Sequence, residues 1–265
     1  MKKTYLSIAF VILATLNACG SAPSTENANI ADVEEGDGAP ILLSSTSQIK
    51  NYFSPVFNEV QNKFNDAMSK QNDVGSQIQL INQLCQGGSA TLNIDETFKD
   101  KYYYGDVMLS GDVDLKKTDG DSANLIGLIS ADFGNYKILN SYSSEKIIMT
   151  GVVKQESQTK ILKGFDAMCD SMLSNTYINS NDSVEMTVWE KITGALSLSG
   201  SKGAAMVFDI TFEGSLSTAS QKQTESFTGT LHLKSGGETI FCTISGESFN
   251  NSNYNISCAA PKKGE

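Results

Sequence analysis

The sequence contains no arginine, and its 20 basic side chains, all lysines, face 30 aspartates and glutamates. Proteins that bind nucleic-acid phosphates or base edges usually present clustered arginines, whose planar fork contacts both in a bidentate way. A formal net charge of −10 also repels nucleic acid and anionic lipid headgroups. We therefore exclude nucleic acid as a partner and expect any attachment to a membrane to depend on something other than a basic patch.

Histidine is almost absent as well, since His232 is the only one. A Ser-His-Asp or Cys-His catalytic group would have to use it, but its apolar neighbours Leu231 and Leu233 predict that it points out of a strand. The chain also lacks HExxH, GxSxG, a Walker loop, a strand-linked GxGxxG and any CxxC pair. The sequence predicts no catalytic residue, no metal site and no cofactor, although its many carboxylates leave a carboxylate-dependent hydrolase as an alternative.

The sequence also lacks an apolar run long enough to span a membrane. A membrane-spanning helix needs roughly 20 apolar residues, and the run that starts at Tyr5 is shorter. It follows Met1-Lys2-Lys3 and gives way to small residues, which is the layout of a secretory signal peptide over residues 1–18.

The residues that end this segment, Leu16-Asn17-Ala18-Cys19, resemble the lipobox of bacterial lipoproteins. The resemblance implies cleavage before Cys19 and attachment of palmitate-like acyl chains there, since two chains anchor a protein stably where one does not. Gly20, in place of an aspartate, implies release to the outer membrane. The expected location is the cell envelope, most simply the outer membrane, with the lipid anchor as the contact with the membrane.

Residues 19–45 are rich in Ser, Asn, Gly and Ala, with several acidic residues and no lysine. This composition predicts a lipidated cysteine followed by a disordered acidic tether.

Four cysteines remain in the mature chain, and an even number in an exported protein predicts two disulfides. Cys242 and Cys258 lie on two short runs that alternate apolar and polar residues, with a hairpin turn at Asn250-Asn251 between them. We predict a bridge across that hairpin, which leaves Cys85 to pair with Cys169.

The hydrophobic period changes along the chain. Val56, Val60, Phe64 and Met68 are spaced four apart, which predicts a helical segment over residues 46–88, with Pro55 in the first turn of its helix. A period of two follows over residues 89–157, helical spacing returns over residues 158–175, and a period of two resumes over residues 176–260. The prediction is an α+β fold, mostly antiparallel β, with helices on one side of a curved sheet, half-barrel or sandwich.

A short string recurs four times, as "LSGDV" at 109, "MTGVV" at 149, "ITGAL" at 192 and "FTGTL" at 227. Each string is an apolar residue, Ser or Thr, Gly, any residue, and an apolar residue. With a helix before each pair of strings, the pattern predicts two tandem halves, each a helix followed by a β-meander. The repeated glycine favours a structural role in strand bending over a ligand contact.

Loops rich in tyrosine and asparagine are the candidate binding surface, because tyrosine offers a large contact area with a polar tip. The candidates are Tyr103, Tyr136, Tyr177 and Tyr254, for an envelope protein or a glycan. The sequence thus predicts an outer-membrane-anchored, non-catalytic binding or structural module. A lipid or hydrophobe carrier with a half-barrel cavity is the alternative, and the oligomeric state stays open.

Overall fold

The computed structural model describes residues 29–70, 83–86, 88–99, 105–118, 120–140, 143–174, 183–220, 222–247, 254–260 and 262–263. Several predicted features lie outside these residues: the signal peptide, the lipobox with Cys19, the side chain of Met68, the turn at Asn250-Asn251, Tyr103 and Tyr177.

Strands make up most of the described chain. The helices are α1 (Thr46–Lys70) and α2 (Phe165–Leu173), and a single 3-10 turn covers Ile30–Asp32. The strands are β1 (Ala39–Pro40), β2 (Ser89–Lys99), β3 (Asp106–Lys117), β4 (Ala123–Leu139), β5 (Lys146–Lys163), β6 (Glu185–Gly200), β7 (Lys202–Ser217), β8 (Lys222–Ser235), β9 (Glu238–Gly246), β10 (Tyr254–Cys258) and β11 (Lys262–Lys263).

The predicted α+β fold with a mostly antiparallel sheet is confirmed. Strands β2 to β10 pair with their sequence neighbours in unbroken order, and the short strands β1 and β11 pair with β7 and β9. In this order β2 and β10 are the two ends, so the sheet is open. The described strands therefore form one sheet and not the two-sheet sandwich that the sequence had left as an alternative.

Alternating residues place one face of this sheet in the core. Met206, Phe208 and Ile210 of β7 are buried on one side, whereas Glu213 on the other side is exposed. The same face of every strand from β2 to β10 joins one buried cluster with α1. So many strands can surround one helix only if the sheet twists and curls, so we call this side the concave face and the other the convex face.

Helix α1 lies on the concave face through the side that its four-residue spacing predicted. Val56, Val60 and Phe64 are at most 1% exposed. Phe53 and Phe57 contact Phe208 of β7 edge to face, with ring centroids 6.2 and 5.9 Å apart. Among the described residues, no helix combines the length and apolar character needed to cross a membrane.

The interior of α1 contains Pro55, so the prediction that this residue lies in the first helical turn is wrong. Proline has no N–H and leaves the carbonyl four residues earlier, that of Asn51, without its helical partner. Asn140, which is 2% exposed at the end of β4, donates its side-chain amide to that carbonyl at 3.1 Å. A distant side chain therefore supplies the hydrogen bond that the proline removes.

The prediction of a disordered tether that runs to residue 45 is wrong for residues 29–45, which are ordered against the sheet and which we call the N-terminal strap. Ile30 packs against the convex face of β7, and β1 then pairs with the start of β7. Ile41 and Leu43 are buried in the concave core. The strap therefore passes around one rim of the sheet. Its acidic composition gave no sign that Ile30, Ile41 and Leu43 are buried.

Ser235 fixes the strap at this rim. Its hydroxyl accepts a hydrogen bond from the amide of Ile41 at 2.9 Å and donates to the carbonyl of Gly203 at 2.6 Å. The carboxylate of Glu35 also accepts a hydrogen bond from the amide of Gly236 in the β8–β9 turn.

The boundaries predicted around the second helix are wrong by several residues, because β5 continues to Lys163 and α2 covers only Phe165–Leu173. Gly164 precedes the helix and has no side chain to cap it. The carboxylate of Asp121, from the β3–β4 turn, instead accepts from the amides of Gly164 and Asp166 at 2.7 Å each. Lys163 remains in the strand because it pairs with β6 across a small irregularity in register.

Both predicted disulfides are confirmed. Cys85 is bonded to Cys169 of α2, and Cys242 is bonded to Cys258, its direct partner in the antiparallel register of β9 and β10. The first bridge ties the chain just before β2 to the connection between β5 and β6. The second closes the hairpin at one edge of the sheet.

The recurring glycines lie on the concave face. A Cβ at Gly194 would approach the ring of Phe208 to 2.2 Å, and Gly151 has a φ of +142° beside the carbonyl of Ala195. The register shifts opposite Gly151, between Phe133 and Tyr136, but runs unbroken past Gly194. Close packing therefore explains Gly194, and a bend with a shift in register explains Gly151.

Candidate functional site

A row of polar side chains interrupts the concave face in β5. Gln155, Ser157 and Thr159 occupy alternate positions between the buried Val153 and Ile161. All three are at least 95% buried. Polar groups enter a core only with hydrogen-bonding partners, so such a row is a candidate site.

Glu190 on the neighbouring strand β6 completes this site. It lies directly opposite Ser157 in the register, and its carboxylate accepts a hydrogen bond from Nε2 of Gln155 at 2.7 Å. We call Gln155, Ser157, Thr159 and Glu190 the Gln155 site. Gln155 is 3% exposed, whereas Glu190 keeps a partial opening to solvent.

One atom of the site lacks a partner. The Oε1 atom of Gln155 is buried and accepts no hydrogen bond from any of the described residues. An unpaired buried amide oxygen costs about 1–3 kcal/mol, so native proteins rarely contain one without a bound water or ligand.

Burial also changes the ionisation of the site. Loss of solvent raises the pKa of Glu190 to about 7, the negative charge of Glu225 adds to the increase, and the amide of Gln155 opposes it. Near neutral pH the side chain therefore exists both as the acid, which donates a hydrogen bond, and as the carboxylate, which only accepts.

The wall of the site is apolar. Val188 lies two residues before Glu190 on the concave face, and on β7 Phe212 pairs with Glu190 and Leu216 pairs with Met186. Val188, Phe212 and Leu216 are all partly buried. Gly214 lies between Phe212 and Leu216 and faces Val188 in the register, and a Cβ there would lie 3.1 Å from the carbonyl oxygen of Thr224.

A second carboxylate lies near the opening. Glu225 of β8 pairs with Gly214 in the register and is exposed. On the concave face of β5 to β8, between residues 153 and 161, 186 and 198, 204 and 216, and 223 and 233, the ionisable side chains are Glu190 and Glu225. This part of the face is therefore acidic.

The arrangement is better suited to binding than to nucleophilic attack. Ser157 and Glu190 are cross-strand neighbours, but no hydrogen bond joins their side chains in the described part of the chain. A serine nucleophile needs a base within hydrogen-bonding reach. Within the same residues, no group of three or more His, Cys, Asp or Glu side chains could hold a metal ion.

Two of the predicted binding tyrosines are placed differently from the prediction. Tyr136 and Tyr254 are 1% and 5% exposed and belong to strands β4 and β10, so their assignment to exposed binding loops is wrong. The hydroxyl of Tyr136 donates to Glu59 of α1, and that of Tyr254 shares a hydrogen bond with Ser54. These tyrosines attach α1 to two distant strands of the sheet.

His232 points away from the core, as its alternation with leucines predicted. It is partly exposed on the convex face, where its ring lies edge to face against Phe241 with centroids 4.6 Å apart. Partial burial lowers the pKa of His232.

The sequence contained a signal for the Gln155 site that the motif search missed. Ile147, Met149, Val153 and Ile161 share one face of β5, and Gln155, Ser157 and Thr159 occupy the same face in the middle of that series. Three polar residues on the buried side of a strand are the signal. Glu190 carries the same signal more weakly, as a single acidic residue between the apolar Val188 and Ile192 on the buried face of β6.

Neither a protein family, nor a curated protein, nor a solved structure matches this chain. The interpretation of the site therefore depends on its own chemistry.

Proposed function

We propose that the chain is a lipid-anchored, non-catalytic binding module of the bacterial cell envelope, with its ligand at the Gln155 site. The observation that carries this proposal is the buried amide of Gln155, whose Nε2 is held by Glu190 and whose Oε1 has no partner among the residues that the structure describes. A ligand that donates a hydrogen bond to Oε1 satisfies that atom.

The site supplies what a small-molecule site needs. Such sites combine an apolar lining with a few convergent polar groups that fix orientation. Here the partly buried Val188, Phe212 and Leu216 provide the lining, and Gln155 and Glu190 provide the polar groups. The same lining favours a carrier of apolar molecules as the second candidate function.

The anchor rests on the sequence. Leu16-Asn17-Ala18-Cys19 supports lipidation of Cys19, and Gly20 supports the outer membrane as its location. Labelling of cells with an alkyne fatty acid tests this part: the protein should become labelled, and Cys19→Ser should abolish the label and leave an unprocessed precursor. An unlabelled soluble protein that starts at another residue would contradict the anchor.

The tandem-halves arrangement is also a proposal. It is supported by the order of elements, since α1 precedes β2 to β5 and α2 precedes β6 to β9. The string at 109 lies in β3, which is the second strand after α1. The string at 192 lies in β6, which is the first strand after α2. A duplication therefore also requires that one strand was lost between α2 and β6.

Native mass spectrometry of the full-length protein, solubilised in mild detergent from its own membranes, tests the binding function. We expect a bound small molecule that Gln155→Leu and Glu190→Gln both release. Glu213→Gln is the matched control, because Glu213 lies exposed on the convex face of β7, and it should retain the molecule.

Two other results would redirect the assignment. Turnover of ester, glycoside or peptide substrates that disappears in Glu190→Gln would make the protein a carboxylate-dependent hydrolase. Capture of an envelope protein or a glycan that depends on Tyr103 or Tyr177, with no small molecule bound, would instead place the binding surface on the loops that contain these tyrosines.

A further inference from the structure

The Gln155 site offers hydrogen-bond acceptors at Gln155 and Glu190, beside the hydroxyls of Ser157 and Thr159, which can both donate and accept. Oε1 of Gln155 accepts no hydrogen bond within the described part of the chain, and the carboxylate of Glu190 has two oxygens, of which one accepts from Nε2 of Gln155. Gln155 and Glu190 lie on adjacent strands and are joined by the hydrogen bond from Nε2, so a ligand group that carries several N–H bonds matches the acceptors of both. A primary ammonium has three such donors and no acceptor.

Charge leads to the same type of ligand. On the concave face of β5 to β8, over the ranges given above, the ionisable side chains are the carboxylates of Glu190 and Glu225. An anion would be repelled by both. A cation beside Glu190 favours the ionised carboxylate and forms a charge-assisted hydrogen bond, which is stronger than a neutral one.

The wall determines the rest of the ligand. Phe212 pairs with Glu190 in the register, and its ring packs against Phe227 and Phe57 at 5.5 and 6.2 Å between centroids. Val188 is an adjacent aliphatic side chain on the same face, and Leu216 lies four residues beyond Phe212 on β7. Gly214 lies between Phe212 and Leu216 and pairs with Val188 and Glu225 in the register. An apolar stem attached to the cationic group therefore has a surface to cover.

We infer that the Gln155 site binds a small amphiphilic primary amine, whose ammonium donates to Gln155 and Glu190 and whose apolar stem lies against Val188, Phe212 and Leu216. This inference depends on the proposed binding function and specifies its ligand class. No covalent step is involved.

A bound water is the simplest competing occupant, since water commonly satisfies buried polar atoms. Water explains the unpartnered Oε1 but gives the protein no preference among amines, alcohols and acids. The experiment therefore compares ligands that differ only in their polar group.

Isothermal titration of the full-length protein in detergent micelles, with empty micelles as the blank, would use hexylammonium, 1-hexanol and hexanoate. Hexylammonium should bind measurably, and the other two should bind at least about tenfold more weakly, since a charge-assisted hydrogen bond contributes roughly 1.5–3 kcal/mol. Glu190→Gln should weaken hexylammonium binding about tenfold or more, and Glu213→Gln should leave it unchanged.

The possible outcomes separate the ligand class from the binding function. Equal binding of hexanoate, undiminished binding by a folded Glu190→Gln protein, or no binding of hexylammonium at millimolar concentration would each overturn the amine. If native mass spectrometry still finds a bound acid or neutral molecule that Gln155→Leu releases, the proposed function stands and only the ligand class is wrong. Thermal unfolding of each variant shows whether it is folded.

Discussion

Glu190 is a single residue whose protonation affects the stability of the fold. Its folded pKa of about 7 exceeds the ordinary value of 4.5 because burial disfavours the charge. As pH rises from about 4.5 to 7, the unfolded chain releases this proton before the folded chain does, so the folded state loses stability. Below that window the group has no effect, and above it the loss is complete.

Glu190→Gln should therefore stabilise the protein at pH 8 by roughly 2–3 kcal/mol and leave its stability nearly unchanged at pH 4. Urea unfolding of both proteins at the two pH values measures the difference. Glu213→Gln, on the convex face of β7, controls for the loss of a carboxylate and should not show this trend. A gain from Glu190→Gln that is equal at both pH values would contradict the raised pKa.

Asn140 is a second residue with a defined energetic role, because it supplies a donor to the Asn51 carbonyl that Pro55 leaves without a helical partner. Asn140→Ala should destabilise the protein by about 1–2 kcal/mol, since it removes this hydrogen bond together with the buried side chain that donates it. In a Pro55→Ala background the helix can form its own hydrogen bond, so the same substitution should cost about 1 kcal/mol less. Identical costs in both backgrounds would show that Asn140 acts elsewhere.

At the level of elements, two predictions that rest on short-range periodicity agree with the structure, whereas the helix predicted from residue 158 begins only at Phe165. The alternation in β7 and the four-residue spacing of Val56, Val60 and Phe64 each depend only on which face of an element is apolar. Tyr136 and Tyr254 were misplaced because a tyrosine in a polar segment looks the same whether it faces solvent or reaches a helix more than 70 residues away. The capping of α2 by Asp121 was missed for the same reason.

Helix α2 depends on that capping residue, since both oxygens of Asp121 accept hydrogen bonds from its first amides. Asp121→Ala should cost about 1–2 kcal/mol and speed hydrogen exchange within α2. Asp121→Asn, which keeps one acceptor, should have a smaller effect. Unchanged exchange in α2 would mean that the Cys85–Cys169 bridge alone holds the helix.

At the level of the whole molecule, the N-terminal strap relates the predicted anchor to the sheet. The described chain begins at Asn29, beside the convex face of β7, and Cys19 precedes it by ten residues. Ten residues span at most about 35 Å. A lipid on Cys19 would therefore keep the rim with the β6–β7 hairpin within that distance of the membrane. A disordered tether that continued to residue 45 would allow a larger distance.

The two disulfides stabilise the whole fold to different extents, because they close loops of different length. Cys85 and Cys169 are separated by 84 residues, and Cys242 and Cys258 by 16. The chain-entropy estimate gives roughly 4–5 kcal/mol for the first bridge and roughly 3 kcal/mol for the second. Replacing each pair by alanine should therefore lower the free energy of unfolding more for Cys85–Cys169, as measured by urea denaturation under non-reducing conditions.

Because α2 and the chain before β2 are separated by a full meander, the unfolded ensemble gains most freedom when that bridge is absent. A larger loss on removal of Cys242–Cys258 would show that the edge hairpin limits stability, and that the open end of the sheet at β10 unfolds first.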